Sequence, residues 1–117
     1  DGDAPLLDEL VRAVGPDEAE EADVSVGHPC AVGIVDGDRL LAVASLLDFG
    51  PATVDVGVLV HPQARRRGYA VAVVSDVSRR AGDQLVQSRC DRENVASAKV
   101  AAASGFIPWA VLTIAPR

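Results

Sequence analysis

The hydrophobic period of the sequence changes at one point, and this change constrains the fold more than any other feature. Between residues 53 and 61, valines occupy alternate positions, which is typical of a β-strand with one buried face. After three consecutive arginines at residues 65–67, apolar residues recur every three or four positions, as in a helix. A strand-like segment follows at residues 84–90. Because a strand, a helix and a strand in this order form a parallel pair with a right-handed crossover, the sequence predicts that unit here.

The residues before this unit predict an antiparallel meander. Residues 29–61 divide into three strand-like segments, separated by DGD at residues 36–38 and by FGPA at residues 49–52. In the third segment, alternation places Val54, Val56, Val58 and Val60 on one face and Asp55, Gly57, Leu59 and His61 on the other. The predicted fold class is therefore α/β (α+β): a mixed sheet, with an antiparallel meander followed by a parallel strand–helix–strand crossover and helices on both faces.

Helices are predicted before, within and after this sheet. Asp3 suits the cap of a first helix that Gly15 and Pro16 would stop, and the acidic run at residues 17–23 reads as a loop or short helix. Asn94 and Gly105 suit the start and the end of an alanine-rich helix. A last strand is expected at residues 106–116, as an edge strand or with a bulge at Pro108. The helix after the arginines would bury one face, made of Ala70, Val73, Val74, Val77 and Ala81.

Composition limits the class of protein. The chain has 117 residues, one domain's worth, and its net charge of −6 disfavours a general nucleic-acid binder. No apolar run approaches the ~18 residues of a membrane span, and no signal peptide is visible. Cys30 and Cys90 form no metal-binding spacing with His28 or His61, so they are read as small hydrophobic residues and no metal site is expected. We therefore expect a cytoplasmic protein that binds neither nucleic acid nor membrane.

The loop that carries the arginines is a candidate anion site. A helix N-terminus has unpaired N–H groups and a partial positive charge, and both favour phosphate. Gly68 and Ala70 would let a phosphate approach the backbone, while Arg65, Arg66 and Arg67 could add charge-assisted hydrogen bonds. An ordinary polar loop with solvated arginines explains the same residues equally well. The other phosphate-loop motifs, GxxxxGK[ST] and a GxGxxG that follows a strand, are absent.

The sequence RRRGYA resembles the acyl-CoA pyrophosphate loop of the GNAT acyltransferase superfamily, [QR]-x-x-G-x-[GA]. Arg65, Gly68 and Ala70 occupy its fixed positions. The flanking residues are similar as well: a strand ending V-x-P precedes the loop, and Asn94 stands eleven residues before a Gly-Phe pair at residues 105–106. The resemblance extends from about Ala31 to the end of the chain.

This resemblance implies an acyl-CoA-dependent N-acyltransferase that moves acetyl from acetyl-CoA to a primary amine by direct attack. Backbone amides of residues 66–70 would bind the pyrophosphate, and the backbone of the preceding strand would bind pantetheine. Its partners would be acyl-CoA and an unidentified amine, with no metal. The implied acyl-CoA-binding residues are Leu59, Val60, Arg65, Arg66, Arg67, Gly68, Tyr69, Ala70, Asn94 and Ser97.

The resemblance also implies the catalytic candidates. Asp55 stands where many GNAT members carry a glutamate, and His61 lies on the same strand face, so both are candidate general bases. Many members have a tyrosine seven residues after the asparagine as the general acid; here that position is Ala101. Two alternatives therefore stay open. One is a non-catalytic acyl-CoA-binding or regulatory domain of this fold, and the other, less favoured, is a nucleic-acid-binding module.

The domain organisation is expected to be simple. Residues 1–117 would form a single domain, with a helix and acidic loop at residues 1–28 and the acyl-CoA-binding core at residues 29–117. Because the chain begins with Asp1 and the region before the meander is short for the family, we expect further sequence to precede it. An exposed last strand could pair with a second copy in a homodimer.

Overall fold

The computed structural model describes residues 4–17, 30–88 and 94–107. The expected last strand, the Asp3 cap and Cys90 lie outside these residues, as does most of the acidic run. The elements are α1 (Ala4–Val14), β1 (Cys30–Asp36), β2 (Arg39–Gly50), β3 (Thr53–Val60), a 3₁₀-helix (Pro62–Ala64), α2 (Tyr69–Arg79), β4 (Leu85–Gln87) and α3 (Val95–Ala103).

The four described strands form one mixed sheet in the order β1-β2-β3-β4. The first three strands are antiparallel, and β4 lies parallel to β3, as the sequence predicts. Asp36 pairs with Arg39 across a two-residue turn, in which Gly37 has a φ of 63°. This left-handed conformation costs glycine little, so the DGD sequence sets the turn of the first hairpin.

One face of the sheet packs against α2. Val73, Val74 and Val77 of this helix are buried and join a cluster with Val54 and Val56 of β3. The same cluster includes Ala42, Ala44 and Leu46 of β2 and, next to α2, Ala81. So many β-branched residues form a poor helix in isolation, and packing against the sheet holds α2 in place.

The other face packs against α1. Leu7 and Leu10 bury against Val43 and Leu59, which lie on neighbouring strands. Helices therefore cover both faces, and the alternation of β3 divides its side chains between two separate clusters. The three helices have 11, 11 and 9 residues, and none within the described ranges is long and apolar enough to cross a bilayer.

Candidate active site

The loop between β3 and α2 makes a tight turn that leaves the helix N-terminus accessible. Arg66 and Gly68 both adopt left-handed backbone conformations, with φ angles of 65° and 79°. Gly68 is the N-cap of α2, and no side chain forms a cap hydrogen bond there. The first intrahelical bond of this end is donated by Ala72 to the Gly68 carbonyl, at 3.1 Å. The N–H groups of the preceding residues in the first turn therefore have no acceptor within the helix.

A cavity of about 170 Å³ lies at this helix end. Five of the predicted loop residues contribute to its wall, and so does Val60 at the end of β3. The sequence did not single out Val100 of α3, which also lines the cavity. Arg67, Asn94 and Ser97 do not line this cavity. The lining residues are Val60, Ala64, Arg65, Arg66, Gly68, Tyr69, Ala70, Val71 and Val100.

The three arginines give this end of the molecule a local positive charge. All three are exposed, so their charges lie at the surface beside the uncapped helix end. Arg65 also bonds locally, because its Nε donates to the carbonyl oxygen of Val60 at 3.3 Å. Guanidinium groups beside an uncapped helix N-terminus suit a diphosphate.

Within residues 30–88, the edge of β3 that faces β4 has no strand partner beyond Asp55. In the described part of the chain, β4 pairs with residues 53–55 of β3 and no further. The first bond on this side runs from the N–H of Leu85 to the carbonyl of Ala52, at 2.8 Å. Among the described residues, the ladder therefore ends at the Asp55–Gln87 pair, and the β3 edge beyond this pair is called the open edge here.

The register decides which residues present backbone groups to this edge of β3. His61 donates its N–H to Leu41 of β2 at 2.8 Å, so by alternation the odd-numbered residues of β3 bond to β2. The backbone of Leu59 therefore faces Val43 of β2, and its side chain is buried under α1. The prediction for Val60 agrees with the register. The backbone groups on the open edge belong to Val56, Val58 and Val60.

Asp55 lies in the last described pair of β3 and β4. Its side chain is largely buried, at 8% exposure, on the face opposite α2. Gln87 of β4 donates from Nε2 to its Oδ1 at 2.6 Å, which orients the carboxylate. The sequence gave no sign of this partner, because the pairing depends on the register of two strands 32 positions apart.

His61 lies at the opposite end of β3. It lies six positions along the chain from Asp55, which corresponds to about 20 Å of strand. Its imidazole is buried, and Nδ1 accepts the N–H of Gln63 at 3.1 Å as the cap of the 3₁₀-helix. Asp55 and His61 therefore share a face but cannot act on the same atom.

Asn94 caps α3, as the sequence indicates. Its Oδ1 accepts the N–H of Ser97 at 3.0 Å, so the structural role of both residues is settled by geometry. Ala101 lies in the last turn of this helix, where its carbonyl accepts the N–H of Phe106 at 3.0 Å. A methyl side chain at this position has no proton to donate.

The family model that matches this chain describes an acetyltransferase (GNAT) domain and covers residues 9–107. This range includes the four described strands, the arginine loop, α2 and α3, together with the second half of α1. No curated protein matches the sequence.

Solved structures share the fold. A protein of Agrobacterium tumefaciens, assigned to the acetyltransferases, is 19% identical with a TM-score of 0.74, covering 99% of this chain and 94% of its own. Aminoglycoside N-acetyltransferase AAC(6')-Iy in complex with CoA is 22% identical with a TM-score of 0.71. The match covers 98% of this chain and 93% of the other. The Salmonella typhimurium protein YncA, solved with acetyl-CoA, is 25% identical with a TM-score of 0.56. The match covers 62% of this chain and 46% of YncA. This chain thus spans about half of YncA.

AAC(6')-Iy is also known with the bisubstrate analogue CoA-S-monomethyl-acetylneamine. That structure is 25% identical with a TM-score of 0.61, and the match covers 87% of this chain and 77% of the other. Three findings support one assignment: the family match over most of the chain, the mixed sheet with its open edge, and the uncapped glycine turn. This chain belongs to the GNAT acetyltransferase family.

Proposed function

We propose that the protein is an N-acetyltransferase that moves acetyl from acetyl-CoA to a primary amine. The observation that carries the proposal is the uncapped N-terminus of α2, which lies at the end of a strand with an open edge. Acetyl-CoA has a diphosphate at one end of its pantetheine arm and the thioester at the other. Loop amides of residues 66–70 would bind the diphosphate, and the edge at Val56, Val58 and Val60 would bind the arm.

This placement assigns the acyl group to the Asp55 end of β3. A free amine with a pKa near ~10 is mostly protonated at neutral pH, so a base must remove a proton before the amine attacks. We assign that role to Asp55, whose carboxylate is held by Gln87 in the last described pair of β3 and β4. The amine nitrogen then bonds to the carbonyl carbon as the carbon–sulfur bond breaks. Water carries the proton that the nitrogen then loses to the CoA thiolate, since Ala101 offers no proton, and the products are the amide and the CoA thiol.

Ala101 also favours a second candidate function, a non-catalytic domain that binds acyl-CoA. Both functions need the same ligand site and differ in turnover. The acceptor for the first is a primary amine, and aminoglycosides belong in the test set because AAC(6')-Iy is among the structures that share the fold. Release of CoA thiol across a panel of amines separates the two functions. Tight CoA binding without turnover on any amine would support the second.

Ligand-induced stabilisation tests the shared site. Saturating CoA should raise the Tm of the protein, because a ligand of the native state stabilises by mass action. Gly68→Glu should abolish the shift, since it places a side chain and a negative charge at the helix end. Gly82→Glu is a matched control, because Gly82 also has a positive φ, of 65°, at the other end of α2. Both variants should lose stability, but only the Gly82 variant should keep the CoA-induced shift. A parent protein that CoA does not stabilise would contradict the site.

A further inference from the structure

A cluster of three hydrogen-bonded side chains lies just before the loop and outside its cavity: Arg39, His61 and Gln63. Arg39 Nη2 lies 2.9 Å from His61 Nε2 and donates to Gln63 Oε1 at 3.3 Å. The backbone N–H of Gln63 points to His61 Nδ1 at 3.1 Å. Arg39 begins β2, so the cluster joins residues 22 and 24 positions apart.

The imidazole of His61 faces a protein donor at each nitrogen. A guanidinium and a backbone N–H can only donate, and a neutral imidazole has a single acceptor nitrogen. Whichever tautomer is present, its lone pair therefore points to Arg39 or to the Gln63 amide. A general base needs that lone pair for its substrate, so this arrangement opposes the catalytic role that the sequence suggested for His61.

The same contacts fix the path of the chain into the loop. The backbone of His61 bonds to Leu41 through its N–H and to Ala64 through its carbonyl, both at 2.8 Å. Ala64 is buried and lines the cavity at the helix end. The next residue, Arg65, bonds back to Val60. The 3₁₀-helix is thus held at its start by the cluster, and its last residue forms part of the cavity wall.

We propose that Arg39 and His61 are positioning residues for acyl-CoA, which act by fixing the 3₁₀-helix before the diphosphate loop. The proposal rests on the proposed function, because it concerns the affinity of the same loop. Neither side chain contacts the ligand. Arg39 donates to Gln63 and lies against the His61 ring, His61 caps the 3₁₀-helix through Nδ1, and the loop amides keep the orientation that a diphosphate requires.

The first experiment removes the guanidinium. Arg39→Met keeps the apolar stem of an exposed side chain but leaves no donor for His61 or Gln63. The Kd for CoA, measured by calorimetry, should rise about tenfold, the effect of losing one charge-assisted hydrogen bond. Arg80→Met is the control, since it removes an equal charge from an exposed site that bonds to Asp76 at 3.4 Å. Equal Kd values for the two variants would overturn the proposal.

The second experiment separates positioning from base catalysis. Asparagine at residue 61 can accept the Gln63 N–H as a good N-cap but cannot act as a base, whereas alanine can do neither. If His61 is a positioning residue, His61→Ala should weaken CoA binding more than His61→Asn does. Both variants should also keep the parental kcat at saturating acetyl-CoA. Unchanged CoA affinity with a loss of kcat in both would show a base and overturn the proposal.

A third readout does not depend on CoA. Amide hydrogen exchange at residues 63–70 should be several-fold faster in Arg39→Met than in Arg80→Met, because the loop opens locally more often. If the parent protein binds no CoA but shows this difference, the proposed function fails and the structural role of the cluster stands. If exchange is equal in both variants, the positioning role is overturned whatever CoA does.

Discussion

At the scale of single residues, Asp55 carries the clearest catalytic prediction. Asp55→Asn should lower kcat by about 10²- to 10⁴-fold, the usual cost of removing a general base. The variant should bind CoA like the parent protein, because an asparagine oxygen can still accept the hydrogen bond that Gln87 donates at 2.6 Å. Steady-state kinetics with any accepted amine measures the first effect, and calorimetry measures the second.

The control for this variant is Asp48→Asn. Asp48 lies on β2 and is exposed. Its neutralisation therefore changes the net charge equally without affecting the Asp55–Gln87 pair. Its kcat should match that of the parent. An Asp55→Asn protein that also turns over at the parental rate would remove Asp55 from the mechanism and leave water as the acceptor of the amine proton.

At the scale of elements, the start of α3 provides a prediction with two separable parts. Asn94→Ala should lower the free energy of unfolding by about 1 kcal/mol, because it removes the cap bond to Ser97. Asn94→Ser should keep most of this stability, since serine is also a good cap. Urea unfolding of both variants measures this effect, and unchanged stability in the alanine variant would contradict the cap.

The same pair of variants tests the pantetheine contact that the family resemblance implies for Asn94. A serine cap lacks the amide group, so weaker CoA binding in both variants would support that contact. Weaker binding in the alanine variant alone would trace the effect to the position of α3. Parental affinity in both would leave Asn94 with its structural role only.

The elements also show how far the sequence could predict this molecule. Local patterns were sufficient where the cause is local: the change of period at residues 61–69, the DGD turn and the Asn94 cap were all expected and are observed. Local patterns did not predict the contacts that depend on strand register. The backbone of Leu59 faces β2 because of its pairing with Val43, and neither Gln87 nor Arg39 is marked by any local pattern.

At the scale of the whole molecule, the cluster that holds α1 and the loop of the proposed ligand site lie on opposite faces of the sheet. The cluster under α1 contains Leu10, which is 1% exposed, and it lies on the face opposite α2 and its loop. The proposed acyl-CoA site involves α2, α3 and the open edge of β3. A change deep in the α1 cluster should therefore lower stability without changing the ligand site, because distant sites contribute almost additively.

Leu10→Ala tests this separation. It should lower the free energy of unfolding by about 2–5 kcal/mol, since it leaves a cavity between α1 and the sheet. Saturating CoA should add the same increment of stability to the variant as to the parent, because the increment depends only on the ligand concentration and the Kd. Urea unfolding with and without CoA measures both quantities, and Val35→Ala, at a site 52% exposed, is the control. A smaller CoA increment in the Leu10 variant alone would show that α1 helps to shape the loop through β3, and the two faces would then have to be treated as one coupled unit.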